Sequence, residues 1–85
     1  AKKWISLFPN PNTGQFTIEL SLKPSENSLW LTVLDPTGRV VHRVHENAQG
    51  ETFTKELNLS FLSKGIYYIH VQGNQRTGVR KLIIN

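Results

Sequence analysis

The chain has 85 residues, ten Lys and Arg against six Asp and Glu, a formal net charge of +4 and no cysteine. A chain of this size makes one domain that buries roughly 60–65% of its unfolded surface, enough for a core but not for a deep enclosed cavity. The lack of cysteine excludes a disulfide framework and a thiolate metal site, and no stretch approaches the ~20 apolar residues of a membrane-spanning helix.

The elements follow a strand rhythm. Ile5 to Phe8 is a short first strand, ended by Pro9-Asn10-Pro11-Asn12-Thr13-Gly14, where two prolines remove amide donors and Gly14 permits a positive φ. Gln15 to Leu22 is the clearest strand, with Phe16, Ile18, Leu20 and Leu22 alternating with polar residues, so that one face is buried and the other meets water. Leu29 to Asp35 makes a third strand, with Leu29, Leu31 and Val33 on one face and Trp30 and Leu34 on the other. Asp35-Pro36-Thr37-Gly38 fits a type I turn leading into Arg39 to His45. The polar stretch Glu46 to Glu51 turns the chain into Thr52 to Leu57.

Asn58 to Gly65 reads as a crossing segment anchored by Leu59 and Leu62. Ile66 to Gln72 is apolar enough for a central strand, with Tyr67, Ile69 and Val71 inward, and Gly73 to Gly78 is a hairpin loop into the last strand, Val79 to Ile84. Seven short strands with turn signals every eight to twelve residues and no amphipathic helix predict an all-β, immunoglobulin-like antiparallel sandwich with Greek-key connections.

Little in this pattern points to catalysis. Glu19, Glu26, Asp35, Glu46, Glu51 and Glu56 fall on outer strand faces and in loops, which predicts solvated groups rather than an acid and base pair. Asp35 has a local role as turn former, with Arg39 within reach as an ion partner. His42 and His45 are three apart on one strand and face opposite sides, and His42 could meet His70 only across neighbouring strands with no clustered carboxylate or cysteine beside them, so no metal site is expected, and no cofactor. The basic residues are scattered and accompany no nucleic-acid motif, so they predict a solvated surface rather than a nucleic-acid stripe. Nothing suggests membrane insertion, and the lack of an initiating methionine reads as a piece excised from a longer polypeptide.

Three landmarks stand in order: Phe8-Pro9-Asn10-Pro11 with Gly14, Val33 to Arg39 with Asp35 and Gly38, and Leu62 to Ile69 with Gly65 and Tyr67. With the terminal Lys81-Leu82-Ile83-Ile84 they resemble the type A sorting domain at the C-terminus of proteins exported by the type IX (Por) secretion system, over residues 7–84. Leu34, where an aromatic is common, and Pro36 inside the turn depart from the usual pattern without touching the turn-setting Asp35 and Gly38. The resemblance implies a non-catalytic signal domain that follows an N-terminal passenger. Such a domain is exported to the periplasm, read by the type IX apparatus, and removed by a surface sortase as the passenger reaches the cell surface or medium. Recognition by strand addition to an open edge would make Arg80, Lys81, Leu82, Ile83 and Ile84 the segment read, should the last strand lie at an edge. Two alternative readings are a structural spacer and an accessory module of a secreted enzyme, binding carbohydrate through Trp4, Trp30 or Tyr68.

Overall fold

The computed structural model describes residues 3–85. Its seven strands are β1 (Ile5–Phe8), β2 (Gln15–Ser21), β3 (Ser28–Leu34), β4 (Val40–Asn47), β5 (Thr52–Asn58), β6 (Gly65–Gln72) and β7 (Thr77–Ile84). No helix occurs among the described residues. Three strands pair in the order β1-β2-β5 and four in the order β4-β3-β6-β7, every neighbouring pair antiparallel. The chain changes sheet after β2, β4 and β5, which produces the expected sandwich. β4 joins β3 rather than the three-stranded sheet, so three strands face four, with the larger sheet the opposite one from the constant immunoglobulin arrangement.

The alternation read from β2, β3 and β6 sets the core. Phe16, Ile18, Leu20, Leu29, Leu31, Val33, Tyr67, Ile69 and Val71 are all buried, joined by Ile5, Leu57, Leu59, Leu82 and Ile84. β6 lies between β3 and β7, the central place its apolar density predicts. The last strand begins two residues earlier than its composition suggests. Gly78 pairs opposite Val71 inside the ladder, and its missing side chain makes room for the Trp4 ring, since a Cβ there would lie 2.7 Å from an indole carbon. The hairpin loop shrinks accordingly to residues 73–76, closed by a bond from the Gly73 amide to the Arg76 carbonyl of 2.8 Å.

One surface expectation is overturned. Glu26 is not solvated: the residue is 4% exposed, with Arg76 donating to both its oxygens at 2.9 and 2.6 Å and the Lys23 amide donating at 2.8 Å. Arg76 also bonds the Ser21 carbonyl at 2.7 Å and lies 3.9 Å over the Trp4 ring. This network ties loops that are 50 residues apart in sequence, and it holds the Glu26 carboxyl below its usual range, chiefly through the Arg76 hydrogen bonds.

Candidate functional site at the motif-bearing pole

The turn from Pro9 to Gly14 is organised by Asn12. Its side chain donates to the Pro9 carbonyl at 2.9 Å and accepts from the Gly14 amide at 2.7 Å. Its backbone meets β7 in a parallel bridge, with the Asn12 amide on the Ile83 carbonyl at 3.0 Å and the Asn85 amide on the Asn12 carbonyl at 2.7 Å. Asn10 bonds the same strand two residues earlier, donating to the Lys81 carbonyl at 2.8 Å and accepting from the Ile83 amide at 3.0 Å. Pro11 is exposed between these two anchors. Gly14 has φ +104°, and a Cβ on it would stand 2.7 Å from the Ser60 Cα, so the turn presses directly on the crossing segment.

The Asp35 turn faces the same end of the sandwich. The Gly38 amide bonds the Asp35 carbonyl at 2.9 Å, closing a type I turn that Gly38 completes with φ +90°. The Asp35 carboxylate accepts from the Thr37 hydroxyl, the Thr37 amide and the Arg39 amide at 2.6, 2.9 and 3.0 Å, and Arg39 approaches its other oxygen at 3.3 Å. These bonds, led by the Thr37 hydroxyl, hold the Asp35 carboxyl below its ordinary range. A register shift between Val33 and Leu34 leaves Val41 as the extra residue of the hairpin.

The third motif closes the site. Tyr67, buried in the third position of β6, sends its hydroxyl back to the Ser63 carbonyl at 2.7 Å, the tyrosine corner of immunoglobulin-like sandwiches. Gly65, with φ +154°, opens β6 beside the end of β7. Asp35, Pro36 and Arg39 of the second motif and Leu62, Gly65 and Tyr67 of the third line one open groove. Above it Phe61 is 69% exposed, and the ends of β6 and β7 form an adjoining apolar hollow. Motifs widely separated in sequence thus meet at one pole.

A family model for the secretion system C-terminal sorting domain matches residues 6–85. The chain belongs to that family. No curated protein matches it. Membership assigns this sorting domain a role in type IX secretion, on a secreted or cell-surface protein, together with the type IX apparatus and an attached passenger. Domains of this kind are in general non-catalytic.

β7 is an edge strand, so the geometric condition attached to residues 80–84 is met. The sorting domain presents those residues unequally: Leu82 and Ile84 are buried in the core, Ile83 is half-buried, and Arg80 and Lys81 are exposed. The outward edge groups from the Lys81 carbonyl to the Asn85 amide are all engaged by Asn10 and Asn12. Strand addition along that stretch has to displace them. The part played by Asn12 is legible as an Asx turn, an asparagine two residues before a glycine, whereas its grip on β7 depends on a separation of more than seventy residues.

The other sequence candidates scatter. His42 lies on the inward side of β4 and His70 on the outward side of β6 with β3 between them, and no group of three or more metal-ligating side chains gathers among the described residues. Trp4 is half-buried beneath Arg76, away from Trp30 and Tyr68, which lie 38% and 36% exposed on the outer face of the four-stranded sheet. No described helix is long and apolar enough to cross a membrane.

Proposed function

We propose that the type IX apparatus reads this domain as a folded shape, through the pole where its motifs meet, and that a surface sortase removes it once the passenger has crossed from the periplasm. The observation carrying this reading is that the three motifs lie at one end of the sandwich, Pro9–Gly14 bonded to the end of β7 and to the crossing segment at Leu59, and Asp35–Arg39 lining one groove with Leu62–Tyr67. A receptor meeting that end meets every motif at once. The test is a periplasm-directed reporter carrying the 85-residue chain at its C-terminus, expressed in a host with a type IX system. The expected result is a reporter at the cell surface or in the medium, trimmed of the domain only when the sortase is active. Retention in the periplasm, beside a known sorting domain that is exported, overturns the reading.

The carbohydrate reading has one observation in its favour, the exposure of both Trp30 and Tyr68 on one sheet face. Their register places them four residues apart along adjacent strands, roughly 14 Å, and Arg43 already lies 4.4 Å over the Trp30 ring. Titration of soluble polysaccharides against tryptophan fluorescence separates the readings, because a stacking platform quenches or shifts Trp30.

A further inference from the structure

The outward face of the four-stranded sheet is unlike that of a sandwich surface meant only for water. Of its strand residues Trp30, Val40, Ile66, Tyr68 and Val79 are large, apolar and exposed, while the outward face of β2 carries Thr17, Glu19 and Ser21. Its formal charges are Arg43 on β4 and Lys81 on β7, and no outward strand residue of this sheet is a carboxylate. Those two strands are the edges of the sheet, so the cations stand at its two sides, three strand spacings or roughly 14 Å or more apart, with Trp30, Ile66 and Tyr68 on the strands between them.

We propose that this face is the surface that docks an acidic protein partner during sorting, one presenting apolar side chains between two separated carboxylates. The inference rests on the sorting reading and adds to the pole a second contact surface, with the chemistry that it uses. Charge selects the occupant. A second copy of the chain would set Arg43 and Lys81 against the same cations with no carboxylate to answer them, which disfavours self-pairing. An anionic lipid surface is held by clusters of about 4–8 basic residues, and this face offers two, far apart.

The experiment places a photocrosslinking benzoylphenylalanine at Tyr68, or at exposed Thr54 on the other sheet, in the exported reporter fusion. Export is then compared for Arg43→Glu with Lys81→Glu against a control of equal charge change, Lys3→Glu with Lys23→Glu. The expected result is a crosslink from position 68 to one protein at a carboxylate-rich peptide and none from position 54. Export should slow roughly tenfold in the face reversal and stay near wild type in the control. Circular dichroism confirms that both variants fold. Crosslinks to lipid or polysaccharide, to the passenger, equally from both positions, or undiminished export of the face reversal overturn this proposal while leaving the sorting reading intact. A wild-type fusion that stays in the periplasm overturns the sorting reading itself and this proposal with it.

Discussion

Arg76 grips both carboxylate oxygens of Glu26 while its guanidinium covers Trp4, so a single side chain joins the 73–76 hairpin, the loop after β2 and the segment before β1. Replacing Arg76 with Ala leaves a buried carboxylate without its counter-charge. We expect a loss of about 2 kcal/mol in urea unfolding, less than the roughly 3 kcal/mol of a fully enclosed pair because the guanidinium keeps part of its surface in water. Glu26→Gln should cost less, since an amide can still accept from the arginine. A variant Arg76→Ala as stable as wild type would show the network to be energetically idle.

The same pair sets an acid limit. The Glu26 carboxyl titrates lower in the folded chain than its ordinary value of 4.5, so its contribution is complete above that pH and is lost as pH falls through the folded value. Asp35, held low by Thr37 and Arg39, acts in the same direction from an ordinary value of 3.8. Thermal melts should therefore be flat in this respect above about pH 5 and fall below it, and Glu26→Gln should flatten part of the acid limb. An acid limb identical in wild type and Glu26→Gln contradicts the assignment.

Two motif glycines should differ in cost. Gly38 has a positive φ but only open space where a Cβ would stand, so Gly38→Ala meets only the backbone penalty, about 1 kcal/mol. At Gly14 an added methyl meets Ser60 backbone at 2.7 and 2.8 Å as well, and Gly14→Ala should cost about 3 kcal/mol. Equal losses in denaturant melts would remove the argument that the first motif is pressed against the crossing segment.

Sequence alternation exposes the sandwich because β2, β3 and β6 each have one wet face, so period two separates inward from outward residues unambiguously. β4 is harder to read: its inward His42 and half-buried Val44 sit at an edge, where burial is partial and the pattern fades. Glu26 defeats the sequence reading because nothing local marks a buried acid; its partner is Arg76, and only the folded topology brings the two loops together. The pole is half legible. Each turn announces its own geometry through Pro, Gly, Asn and Asp, but that they share one end follows from strand order, which alternation does not encode.

Tyr67→Phe isolates the corner. The ring stays in the core while the hydroxyl bond to the Ser63 carbonyl disappears, and the expected loss is about 1 kcal/mol. Amide exchange should quicken around residues 62–66 rather than across the sheet. A uniform change in exchange would point to altered core packing instead.

The last prediction separates a folded signal from a linear tail. A short peptide signal at the end of β7 could be removed with little effect on the sandwich, but Leu82 and Ile84 are core residues, and Asn10 and Asn12 spend their bonds on this strand. Deleting Lys81 to Asn85 strips two buried side chains and uncouples the first motif, so it should unfold the domain, each lost core side chain alone costing about 2–3 kcal/mol. Export of the reporter should then fail together with the strand signal in circular dichroism. Asn10→Ala is the finer probe. It removes two bonds to β7 without touching the core, should cost about 1 kcal/mol, and should speed amide exchange at Ile83. If recognition reads the folded pole, Asn10→Ala weakens export in a chain that remains folded, and residues 81–85 grafted alone onto a reporter export nothing. If the grafted segment suffices, the pole is scaffolding and the signal is the strand.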